Sequence, residues 1–151
     1  MPEALFESRT PRLELPLLFA GQAQKEGFVN EIAARLDALL FLSVEGEAAL
    51  PPVDAAEGAS WLVEAAPSGA WADRQGQIAS RQSGNWLFTQ PVQGMRLYNK
   101  AAQQEMYFRG TWQVAARPTA PTGGATIDVE SRAAISAIIA ALVSAGIVSA
   151  N

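Results

Sequence analysis

With 151 residues, 49% hydrophobic and 17% charged, the chain has enough apolar material for a globular fold and too little charge for a disordered one. It contains neither cysteine nor histidine, which excludes disulfides, thiolate chemistry, Ser-His-Asp and Cys-His machinery, zinc fingers and histidine-based metal centres. The net charge of −4, with nine scattered arginines and only Lys25 and Lys100 as lysines, argues against nucleic acid and anionic membranes as partners.

Residues 1–21 read as an extended arm. Pro2, Pro11 and Pro16 interrupt helix and push the residues before them toward extended backbone. Leu13, Leu15, Leu17, Leu18 and Phe19 are too apolar for an idle tail, so the arm is expected to bury itself on its own domain or on a neighbouring subunit. The short run from Leu15 to Ala20 imitates a signal peptide, but it contains Pro16 and follows Glu3, Glu7 and Glu14, a poor lead for one. No apolar run approaches the ~20 residues that cross a bilayer, so membrane insertion is not expected. Residues 22–45 form the next segment, a predicted helix to about Leu42. Phe28, Ile32, Leu36, Leu39 and Leu40 recur at spacings of three and four, with Lys25, Glu26, Glu31, Arg35 and Asp37 on the remainder. Glu31 and Arg35 stand in the favourable order for a surface pair, and Gly27 weakens the first turns. Phe41, Leu42 and Val44 lead into a short strand before Gly46.

Residues 46–116 read as an antiparallel β domain, a small sheet or barrel-like meander. After a loop broken by Pro51-Pro52 and Gly58, strands are predicted at Ser60–Glu64, Gln77–Arg81, Trp86–Thr89, Met95–Asn99, Glu105–Phe108 and Trp112–Val114. Gly69-Ala70-Trp71, Gly84-Asn85-Trp86 and Gly110-Thr111-Trp112 share one theme: a glycine takes the turn and a tryptophan enters the next strand. Residues 117–127 form a Pro/Thr/Gly linker. Residues 128–151 hold a second helix, with Asp128 as N-cap, Glu130 in the first turn and Gly146 as the stop. Its apolar face, Ile135, Ile138, Ile139, Leu142 and Val143, needs a partner. The fold class expected is α+β, with an N-terminal arm and helix, the β region and a C-terminal helix.

Loops that chemistry requires are missing: no phosphate-binding Gly-rich loop and no G-x-S-x-G elbow occurs. Glu64, Asp73 and Glu105 could in principle serve a glycoside hydrolase, but nothing in their spacing makes them converge. No catalytic, cofactor-binding or metal-ligating residue is assigned, and the chain is not expected to be an enzyme. The tryptophans and tyrosines all fall in the β region. Trp61, Trp71, Trp86, Tyr98 and Tyr107 are candidates for stacking on a glycan or packing at an interface, and small β domains also use such rings to fill a thin core. Leu13, Leu15, Leu17, Leu18 and Phe19 of the arm, and Ile135, Ile138, Ile139 and Leu142 of the second helix, are candidate oligomer contacts.

One ordered series of motifs resembles a known family. Thr10-Pro11-Arg12-Leu13-Glu14-Leu15-Pro16, Ala20-Gly21-Gln22-Ala23-Gln24-Lys25-Glu26, Asn30-Glu31 and Ala34-Arg35-Leu36-Asp37-Ala38-Leu39 are followed by the Gly-x-Trp elements as far as Trp112. The series is similar to an uncharacterised domain family of phage, prophage and gene-transfer-agent structural proteins from alphaproteobacteria. It departs at Asp73-Arg74, where the family tends to have Gly-His, and at Ser80-Arg81, where an aromatic often follows. The resemblance implies a virion or phage-like particle as location, made in the bacterial cytoplasm, and a part such as a tail-fibre or head-spike base. Implied partners are copies of the chain, as trimer or pentamer, and capsid, portal, tail or fibre proteins, which would make the apolar residues of the arm and second helix oligomer or capsid contacts. A host surface glycan is the alternative partner.

Overall fold

The computed structural model describes Arg12, Leu17 and residues 26–150. The α+β expectation holds. Two helices lie toward the two ends of the chain, and between them eight short strands form two small four-stranded sheets, neither closed into a barrel. The chain divides after Pro91 into two compact units.

The first unit contains α1 (Glu26–Leu39), β1 (Ser43–Val44), β2 (Glu47–Ala48), β3 (Ser60–Val63), a 3-10 turn (Gly69–Trp71), β4 (Ile78–Gln82) and β5 (Asn85–Thr89). Strands run in the order β2-β3-β4-β5. The β2–β3 pair is parallel, with Glu47 opposite Leu62, because the loop through Pro51-Pro52 carries the chain back before β3 begins. The other pairs are antiparallel. Ser83 and Gly84 close the β4–β5 hairpin, both at positive φ (51° and 74°), the backbone a two-residue turn needs to match strand twist. The core cluster is Val63, Trp71 and Ala79, packed by Ala48, Trp61, Trp86 and Phe88. Trp71 departs from the Gly-x-Trp expectation: it sits in the 3-10 turn after Gly69 and not in a strand, whereas Trp86 and Trp112 do enter strands.

The α1 stripe also departs from expectation. Ile32, Leu36 and Leu40 are exposed, and the buried positions are Ala33, Asp37 and Ala38. Asp37, assigned by pattern to the solvent face, is fully buried. Leu39 is half-buried, and the Phe28 side chain lies outside the described set. The expected Glu31–Arg35 pair forms at 2.6 Å.

The second unit contains β6 (Arg96–Asn99), β7 (Gln104–Phe108), β8 (Trp112–Val114) and α2 (Val129–Ser144). The three strands form an antiparallel meander, with Leu97 opposite Met106 and Phe108 opposite Trp112. All six predicted strands are present within a residue at either end, and β2 is additional. The Asp128 side chain caps α2 by accepting hydrogen bonds from the Ser131 N–H and hydroxyl, both at 2.8 Å. Those bonds hold its carboxyl below the usual range, the Ser131 N–H first. Gly146, at φ 69°, terminates α2: its own N–H donates to Val143 O and the Ile147 N–H to Leu142 O. Its carbonyl accepts from the Glu105 N–H at 2.7 Å, tying the helix end to the β6–β7 hairpin.

Candidate functional site

Three sets of side chains stand out as capable of doing more than holding the fold. The first joins Arg12 to the end of α1. Asp37 lies near the C-terminal end of α1, where the last carbonyls lack helical partners. Its carboxylate accepts from the Arg12 N–H (3.1 and 3.2 Å) and from Gln82 Nε2 of β4 (3.1 Å). The Arg12 guanidinium turns over the helix end and donates to the carbonyls of Asp37 (2.5 Å), Ala38 (2.9 Å) and Phe41 (3.0 Å). A cation is thereby placed at the negative end of the helix dipole, and the carbonyls are satisfied. Pattern reading misses this pair, since a buried aspartate is legible only through partners distant in sequence. Of the apolar arm residues, Leu17 is half-buried; Leu13, Leu15, Leu18 and Phe19 lie outside the described residues.

The second set consists of two apolar helix faces. On α1 and its exit, Val29, Ile32, Leu36, Leu40 and Phe41 are exposed, Phe41 at 87%. On α2, Ile135 and Ile138 are 41% and 59% exposed, whereas Ile139 is buried and Leu142 is half-buried. Ala133, Ala134, Ala137, Ala140 and Ala141 are exposed as well. No charged residue occurs from Ala133 to the last residue, so this is a helix apolar nearly all round, of the kind ordinarily buried.

The aromatic rings form the third set. Trp71 is fully buried; Trp61 and Trp86 are half-buried and pack edge to face with each other (5.7 Å), Trp86 also with Trp71 (4.9 Å). Arg81 lies over Trp86, Arg74 over Phe88, and Arg109 over Tyr107. Tyr98 is 39% exposed, Tyr107 half-buried. These rings therefore serve largely as core filling and as platforms for guanidinium groups.

The carboxylates are dispersed. Glu64, Asp73 and Glu105 are all exposed. Glu105 pairs with Arg96 across the β6–β7 hairpin at 3.2 Å. Glu64 stands near Glu47, whose carboxyl is raised above its ordinary range, first by burial and then by the Glu64 charge. Among the described residues no group of three or more acidic side chains is placed to hold a metal ion. No helix among them is long and apolar enough to cross a membrane.

Residues 29–114, more than half of the chain, match the model of a family described as a protein of unknown function, DUF2793, and the chain belongs to that family. No curated protein matches it.

Proposed function

We propose that this chain is a structural adaptor of a phage-like particle, a tail-fibre or head-spike base that works by holding neighbours. The observation that carries this reading is α2. Its exposed surface from Ala133 onward is uncharged and mostly apolar, interrupted by Ser136 and Ser144, and apolar patches of this kind mark protein contacts. A second copy of the chain meets no charge repulsion there, although the chain as a whole carries −4. The exposed α1 face offers a second contact, suited to a capsid, portal, tail or fibre protein. The particle setting rests on the motif series that resembles phage and gene-transfer-agent structural proteins.

The test is to tag the chain in its bacterial host, purify phage-like particles and locate the tag by electron cryomicroscopy. An adaptor co-purifies at fixed stoichiometry and occupies a symmetric position. A chain recovered only in the particle-free fraction contradicts the proposal.

A further inference from the structure

The outward face of the β6–β7 hairpin carries an open depression of about 330 Å³, walled by Gln93, Gly94, Arg96, Tyr107, Phe108 and Arg109. Strand register builds it. Arg96 and Tyr107 are directly opposed, so both side chains leave the same face of the sheet. The Gly94 N–H donates to Phe108 O at 2.9 Å, and the positive φ of Gly94 (85°) turns Gln93 toward the end of β7. Arg109, the first residue after β7, has its guanidinium 5.2 Å from the Tyr107 ring centre.

The charge around this depression differs from that of the chain. Residues 92–151 hold five basic and three acidic side chains, a net +2; residues 1–91 hold six basic and twelve acidic, a net −6. The one ion pair at the wall, Arg96 with Glu105, is solvent-exposed on both sides and is replaceable at little cost. No carboxylate among the described residues is within ion-pairing distance of Arg109.

We infer that this depression receives a carboxylate side chain from an acidic segment of a partner protein, with the Arg109 guanidinium as the forked donor and Arg96 and Gln93 beside it. That the partner is a protein, and the anion its carboxylate, rests on the adaptor reading; the preference for an anion follows from the wall itself. The two guanidinium groups are the charged donors of the wall and favour an anion over a neutral sugar, although the Gln93 amide and the Tyr107 hydroxyl can also accept. A sugar would also need a bare aromatic plane. Tyr107 has Arg109 over it, and Phe108 and Trp112 are packed against each other at 5.4 Å and 64°. Nucleic acid is disfavoured because two guanidinium groups in one depression make no basic stripe that could follow a phosphate backbone. Arginine and tyrosine are residues that protein interfaces enrich.

The experiment is fluorescence anisotropy of the full chain with a labelled hexaglutamate peptide, with hexaglutamine and oligogalacturonate as comparisons. Wild type should bind hexaglutamate in a salt-sensitive way and ignore hexaglutamine. Arg109→Ala should weaken binding about tenfold or more, since a charge-assisted fork is lost. Arg109→Lys should recover only part, and Arg117→Ala, at an exposed arginine of the same unit, should leave binding unchanged. Absence of hexaglutamate binding, equal losses for Arg109→Ala and Arg117→Ala, or tighter binding of oligogalacturonate would each overturn the inference. Because the isolated chain is measured, this result is separable from whether the chain resides in a particle.

Discussion

Replacing Ile135 and Ile138 together by glutamate separates folding from assembly. The two exposures, 41% and 59%, amount to one whole isoleucine per chain that its own unit leaves uncovered. Burying one such side chain contributes about 1.5–3 kcal/mol, so a contact between two α2 helices loses about 3–6 kcal/mol when both copies are changed. At about 1.4 kcal/mol per decade that weakens self-association roughly 100- to 10,000-fold, before the added cost of burying carboxylates. Folding stability should fall by no more than about 1.5–3 kcal/mol, because the covered fractions of the two side chains also add up to one isoleucine and the glutamate stems keep part of that contact. Light scattering across a concentration series reads the assembly, and urea unfolding at low concentration reads the fold. A variant with unchanged mass at every concentration, or a wild type that stays monomeric throughout, would refute the assignment of this face to a second copy.

Asp37→Ala leaves Gln82 Nε2 and the Arg12 N–H without their buried acceptor, and should cost about 2–4 kcal/mol in urea unfolding; Arg12→Ala, which strips the carbonyls at the end of α1, should cost about 1–2 kcal/mol. Glu47→Gln should stabilise the fold near neutral pH by less than about 1 kcal/mol and lose that gain by about pH 3. The folded state holds the Glu47 proton more tightly than the unfolded chain, so the ionised carboxylate weakens the fold as pH rises through the raised value; equal gains at both pH values would contradict this. Gly146→Ala should cost about 1–2 kcal/mol for the left-handed backbone, with further strain because a Cβ there would lie 3.1 Å from Gln103 O and 3.2 Å from Tyr98 Cε2. Its mark would be faster hydrogen exchange at the Glu105 amide, which donates to Gly146 O. Phe41, non-glycine at φ 51°, should tolerate Phe41→Gly with unchanged stability or a gain of up to about 1 kcal/mol, while assembly measured by light scattering weakens if the α1 exit contributes to it.

Local chemistry was legible in the sequence, and long-range partners were not. The strands from Ser60 to Val114 could be read because glycine or another turn residue closes each hairpin, and α2 could be read from Asp128, Glu130 and Gly146, all within a turn of its ends. The strand β2 escaped because a two-residue parallel pairing, Glu47-Ala48 on Leu62-Val63, leaves no alternation to detect. Asp37 escaped for a different reason. Its partners stand 25 residues before it and 45 after it, and without them a carboxylate at a helix position belongs on the solvent side.

The α1 stripe is the most informative departure. A rule that points the long aliphatic residues at the core assumes that the core available is the chain's own. In α1 the chain's own core takes Ala33, Asp37 and Ala38 and leaves Ile32, Leu36 and Leu40 outside. In α2 the apolar perimeter exceeds what Ile139, Leu142 and Val143 bury. Among the described residues, both helices carry aliphatic side chains that stay exposed. Exposed aliphatic side chains cost solubility unless a neighbour covers them, so under the adaptor reading the periodicity that misplaced the core at α1 points to a contact surface for another protein.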